Sequence, residues 1–199
     1  MIKSALHSSL VEDIKYNSMS AGNAPSSEYL ISTTLITSNT PSITFDNLAQ
    51  FAGVYKHLQI VFTARVSYTA FNRSDLAMRA NGDNGTNYSY NALTSTGSGS
   101  PASGGEGSTN FMYFASISSN SDASGSYNAG FIDILDPYSS TKNKTFRGLA
   151  GRAGVVPYAI GLYSSLWRNT APISSLTLFD LNSTNFVPGS RFSLYGVTA

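Results

Sequence analysis

Two histidines, eleven carboxylates and no cysteine limit the chemistry open to this 199-residue chain. No acid or hydroxyl is spaced to serve His7 or His57, so a serine-type triad is not indicated. A glycosidase needs two carboxylates held across a cleft. Asp133 and Asp136, in IDILD, stand three apart and on a strand would project to opposite faces. They read as a paired Asp133 and a turn-capping Asp136. The stretch NGDNGTN, from Asn81 to Asn87, offers oxygens to calcium, but it holds one carboxylate, and Ala92 stands where an EF-hand has its bidentate glutamate. A plain turn is the simpler reading. Without thiols, disulfides, zinc-thiolate sites and cysteine nucleophiles are excluded. No catalytic residue, metal site or cofactor motif stands out, and none is expected.

Two kinds of side chain remain that could bind a partner. Trp167 and Tyr163 share one face of a strand, with Tyr158 on the other, so Tyr163 and Trp167 form the candidate glycan-binding pair. The competing reading packs both rings into a core or a subunit interface. Arg79, Arg147 and Arg152 are isolated in sequence, and surface pairs with nearby acids explain them.

The surface is polar but barely ionic. Charged residues make up 12% of the chain and the net charge is +1. No global field or basic block is available to gather nucleic acid or anionic lipid, so neither is an expected partner. The most apolar window, AGVVPYAIGLYSSLW, has 15 residues broken by Pro157 and is too short to span a bilayer. The first residues lack the continuous apolar core of a signal peptide.

The elements that must carry these residues are strands. YKHLQIVFTARVSY, Tyr55 to Tyr68, alternates with period two: Leu58, Ile60, Phe62, Ala64, Val66 and Tyr68 on one side, and His57, Gln59, Thr63, Arg65 and Ser67 on the other. Val61 is the one apolar residue on the wet side. EYLISTTLIT and SITF precede it. About nine strands run from Tyr55 onward at intervals of roughly 10 to 20 residues, with no helical period between them. Residues 94–108, with five glycines and five serines, read as a mobile surface loop. The fold expected is all-β: an antiparallel, jelly-roll-like β-sandwich over residues 28–199.

Residues 1–27 read as an extended N-terminal arm. Ser9-Leu10-Val11-Glu12 matches a capping box, and Leu6, Leu10 and Ile14 recur every four residues, predicting a short helix with a narrow apolar stripe. Such a helix is marginal alone. It either packs back on its own domain or docks on a neighbouring molecule. Ser18 to Ser27 read as a linker, and the whole arm, stretched out, would reach about 90 Å.

Taken in order, YKHLQI, NGDNGTNYSYNAL, FIDILDPYSSTKNKTFRGLAG, SSLWRNTAPISSLTLF and FVPGSRFSLYGV resemble a family of tailed-bacteriophage virion proteins, the tail, fibre or head-decoration components. The similarity spans about Phe45 to Ala199. It implies a β-sandwich module without enzymatic activity, often a homotrimer, attached to the particle through an N-terminal segment. The expected partners are then the chain itself and the major capsid protein or another virion protein, and the expected location is the virion, assembled in the host cytoplasm. On this expectation the chain is a capsid decoration or cement protein whose Leu6, Leu10 and Ile14 seat on the shell. The alternative is a tail- or fibre-associated receptor-binding module that holds glycans at residues 94–108 or at the Trp167 face.

Overall fold

The computed structural model describes residues 27–96, 100–152, 154 and 159–198. The arm helix with Leu6, Leu10 and Ile14, and also Tyr158, lie outside the described residues. Twelve strands follow one another: β1 (Glu28–Leu35), β2 (Ser42–Phe45), β3 (His57–Val66), β4 (Arg73–Ala80), β5 (Tyr88–Ser95), β6 (Ala102–Thr109), β7 (Met112–Ser119), β8 (Asn128–Leu135), β9 (Lys144–Arg152), β10 (Ala159–Trp167), β11 (Leu176–Asp180) and β12 (Arg191–Val197). Among the described residues one 3₁₀ turn, Leu48–Phe51, interrupts them.

The strands form a sandwich. The larger sheet runs β1-β12-β3-β8-β9-β10-β5-β6 with every pair antiparallel. The smaller runs β2-β11-β4-β7, also antiparallel. The two sheets join where β3 and β7 pair in parallel for two residues, Arg65 and Val66 against Ser118 and Ser119. From there β7 lies across β8, β9, β10 and β5. Twelve strands divided eight and four exceed the eight strands of a simple jelly roll.

Alternation in sequence becomes sidedness in space. Leu58, Ile60, Phe62, Ala64 and Val66 of β3 are all buried, none more than 2% exposed. They meet Ile132 and Ile134 of β8, Phe146 of β9, and Phe192 and Leu194 of β12 in one continuous core. Each such apolar side chain contributes roughly 1.5–3 kcal/mol by leaving water. β3 is shorter than its alternating stretch, because Tyr55 and Tyr68 fall outside its ladder.

One expectation is overturned. Residues 94–108 are not simply a loop: β5 runs to Ser95, and β6 pairs with it from Ala102 to Thr109. Among the described residues that makes ten strands from Tyr55 onward, against about nine expected. β6 is exposed along almost its whole length, and its glycines give it no apolar alternation to read. Its ladder is supplied by β5.

The Asn81-Gly82 turn also acts differently from a hairpin. Both residues adopt positive φ, 52° and 66°, a conformation that Asn and Gly tolerate best. β4 and β5 on either side of it lie in different sheets, so this turn carries the chain from one layer to the other.

Candidate functional site

The residues singled out for chemistry are brought together in pairs that neutralise one another. Gln59, Asp133 and Arg147 sit opposite each other on β3, β8 and β9. The Arg147 Nε–H donates to one Asp133 oxygen at 2.7 Å, and the Gln59 amide donates to the other at 2.8 Å. Asp136 occupies a turn with positive φ and pairs with Lys142 at 2.8 Å. The Lys142 hydrogen bond holds its carboxyl below the usual carboxylate range. His57 Nδ1 accepts the Asp136 main-chain N–H at 3.0 Å, which puts the ring to use as a turn acceptor. Beside them lies a cavity of about 360 Å³ bounded by Tyr55, Lys56, Asp136, Tyr138 and Lys142.

The NGDNGTN turn spends its carboxylate internally. Asp83 accepts from the Trp167 indole N–H at 2.8 Å, from the Gly85 N–H at 2.8 Å and from the Asn87 amide at 2.9 Å. These bonds, led by that from Trp167, hold the Asp83 carboxyl below its ordinary value. Trp167 also stacks on Tyr88, ring centroids 6.4 Å apart. Tyr163 meets Tyr113 edge to face at 5.3 Å. Trp167 is 1% exposed and Tyr163 4%, so neither ring offers a face to a sugar. Both belong to the core, because the inward side of β10 (Gly161, Tyr163, Ser165, Trp167) faces β7 and the turn after β4.

The arginines divide three ways. Arg147 pairs with Asp133 as described, with two thirds of its side chain exposed. Arg79 forms no ion pair among the described residues. It donates to the Asn110 carbonyl at 2.8 Å, and its guanidinium sits 4.4 Å from the centroid of the Phe179 ring. Arg152 is not a surface residue at all. Its side chain and that of its partner Asp122 are both fully buried, 3.0 Å apart. The neighbouring Gly154 is required there, since a Cβ would collide with the Asp122 carboxylate.

Three further residues were not legible as partners. Arg65, on the nominally wet side of β3, is 8% exposed because the β7–β8 connection folds over it. It donates to the carbonyls of Ala123, Ser126 and Asp122 at 2.7, 2.9 and 3.2 Å. Lys144 is fully buried, and its ammonium donates to the carbonyls of Ser139, Lys142 and Thr170 at 2.7, 2.8 and 3.0 Å. Asp180 is 2% exposed and accepts from Ser74 and from Thr184. The available signal for Lys144 and Arg152 was their parity: both fall in step with Phe146 and Ala150 on the inward side of β9.

One open basin combines an exposed ring with polar groups. Tyr68, Phe71, Arg73, Asp75 and Asn182 line about 300 Å³ at the margin of the smaller sheet. Phe71 is 68% exposed and lies 6.4 Å from the Tyr68 ring. Asp75 accepts from the Tyr113 hydroxyl at 3.2 Å, yet burial pushes its carboxyl above the ordinary value. Among the described residues no cluster of three or more His, Cys, Asp or Glu is arranged to hold a metal ion. No helix among them is long and apolar enough to cross a membrane.

The chain matches no protein-family model, and no curated protein is significantly similar to it.

Proposed function

We propose that the protein is a non-enzymatic structural component of a bacteriophage virion, a capsid decoration or cement protein held on the particle through residues 1–27. The observation that carries this reading is the place where the arm leaves the sandwich. Ser27 accepts the Thr198 N–H at 2.9 Å, and β1 begins at Glu28 on the edge of the larger sheet. A sequence-predicted amphipathic segment therefore departs from a fixed point beside a rigid body. The resemblance of residues 45–199 to phage virion proteins supplies the partner.

On this proposal Leu6, Leu10 and Ile14 seat on the shell. Each buried side chain contributes about 1.5–3 kcal/mol. Several arms on one oligomer raise the attachment further through effective concentration. Deleting residues 1–27 is expected to leave a folded protein, by circular dichroism, that no longer co-sediments with particles. Normal binding by the truncated form would overturn the reading.

A second reading, a tail- or fibre-associated module that holds cell-surface glycans, is favoured by the exposed Phe71 at the rim of the basin that holds Arg73, Asp75 and Asn182. An aromatic face beside planar hydrogen-bonding groups suits a sugar ring. Here Phe71→Ala should abolish binding on a glycan array with little change in melting temperature. Absence of binding across host polysaccharides would remove this reading.

A further inference from the structure

Val61, the one apolar residue on the wet side of β3, does not stand alone. The strand register places Val61 opposite Phe131, Phe131 opposite Leu149, Leu149 opposite Leu162, and Leu162 opposite Leu93. Five adjacent strands thus each contribute one apolar side chain to a single row across the outer face of the larger sheet. Val61 is 40% exposed, Phe131 36%, Leu162 53% and Leu93 50%, and Ile160, next along β10, is 55% exposed. Near β5 the row deepens into a groove of about 260 Å³ between Leu93, Leu149, Ile160, Leu162 and Pro101. Its ends are polar: Ser193 and Thr33, joined by a 2.9 Å hydrogen bond, beyond Val61, and Ser103 beyond Leu93.

We propose that this face is where two copies of the chain meet, outer sheet against outer sheet, about a two-fold axis that runs along the apolar row. The inference does not depend on the virion reading. Its support is area and charge. The row with Ile160 presents on the order of 400–500 Å² of apolar surface, within the range of the largest patch a monomer exposes, which is often functional. Eight strands about 4.8 Å apart and roughly 26 Å long make a face on the order of 1,000 Å². That exceeds the roughly 800 Å² per partner of a standard interface.

Of the charges that face this way, Asp133 and Arg147 already neutralise each other at 2.7 Å, Arg65 at the end of β3 is covered by the β7–β8 connection, and Arg191 on β12 and Glu28 on β1 are exposed on opposite sides of the row. The exposed charges of the face therefore balance, two of each sign, and do not select an oppositely charged partner. It also has nothing that repels its own copy, provided neither Arg147 nor Arg191 meets its own counterpart. The two-fold axis along the row meets that condition. It sets each apolar side chain near its own counterpart and swings the flanking row Gln59, Asp133, Arg147 over the other flanking row, Thr63, Ala129, Gly151. Long side chains then lie over small ones. An axis along β9 would instead stack arginine on arginine. A three-fold assembly joins two unlike patches and would not lay this row on itself.

The test uses the full chain, which has no cysteine of its own. Sedimentation should show a concentration-dependent dimer, and Leu162→Lys, with an unchanged circular dichroism spectrum, should weaken it about ten-fold or more. Leu149→Cys should give a covalent dimer with a short bis-maleimide, while Val54→Cys, exposed at one end of the sandwich, should not. A monomer at every concentration, or an oligomer in which Leu149→Cys does not cross-link, overturns the proposal. Should Leu162→Lys fail to fold, the cysteine result decides alone.

Discussion

The two ends of β9 each bury a cation, and they do so differently. At one end Arg152 faces a buried carboxylate, Asp122. At the other, Lys144 faces three main-chain carbonyls and, among the described residues, no counter-ion. The first arrangement cancels charge with charge; the second satisfies all three ammonium hydrogens with neutral dipoles. Arg152 fixes the β7–β8 connection, which Arg65 also grips through its carbonyls. Lys144 ties the β8–β9 loop to the residues after β10. A strand whose inward side reads Lys144, Phe146, Gly148, Ala150, Arg152 thus has an apolar middle and a polar clamp at each end. The difference teaches that removing a cation costs most where it strands an opposite charge.

That lesson can be broken by experiment. The largest effect is expected from Arg152→Met, which leaves the Asp122 carboxylate buried without its arginine and should destabilise by about 3–5 kcal/mol in urea unfolding. Adding Asp122→Asn should recover about 1–3 kcal/mol of that, since the stranded charge is gone. No recovery would mean that the cost lies in packing. Lys144→Met comes next, at about 1–2 kcal/mol, because it orphans carbonyls but buries no charge. If it costs as much as Arg152→Met, the distinction fails.

The smallest effect is in pH. Burial holds the Lys144 ammonium below its ordinary value of 10.5. A depressed pKa means that the unfolded chain binds the proton more readily, so this group's contribution is full above pH 10.5 and is lost as pH falls through the folded value. The penalty of Lys144→Met should therefore grow as pH is raised toward 10. The tyrosines work in the opposite sense. Burial pushes Tyr88 and Tyr138 up to about 12 from 10.0, so their contribution is full below pH 10 and is lost as pH rises through about 12. Unfolding followed by the fluorescence of Trp167, the only tryptophan, should show an alkaline fall in stability common to both proteins.

Much of the scaffold was legible because apolar alternation is a strong signal. The inward side of β3 was read residue by residue, and the strand runs around EYLIST, SITF, FIDIL and SRFSLYGV were found as strands. β6 was missed because glycine and serine carry no pattern, and its strand conformation comes from its neighbour. Arg65 lay on the correct side of β3; what buries it is a loop some 55 residues further along the chain, beyond the reach of local periodicity. Tyr163 and Trp167 were correctly placed on one face, but only the position of the second sheet decides that this face is covered. The apolar row is of the same kind. Each of its residues is ordinary in sequence, and pairing register alone aligns them.

The two-residue parallel contact between β3 and β7 is where the ladders of the two sheets meet. On the proposed attachment, a tether pulling at Ser27 would deliver its force to β1, which ladders to β12 from Glu28 to Leu35, and β12 to β3. At Arg65 and Val66 that force passes into β7 and so into the smaller sheet. Tension along the strand axis strains the whole β1–β12 ladder at once. Tension applied sideways would open it pair by pair, starting at Glu28, so on that attachment the angle at which the arm leaves would set the mechanical strength of the hold.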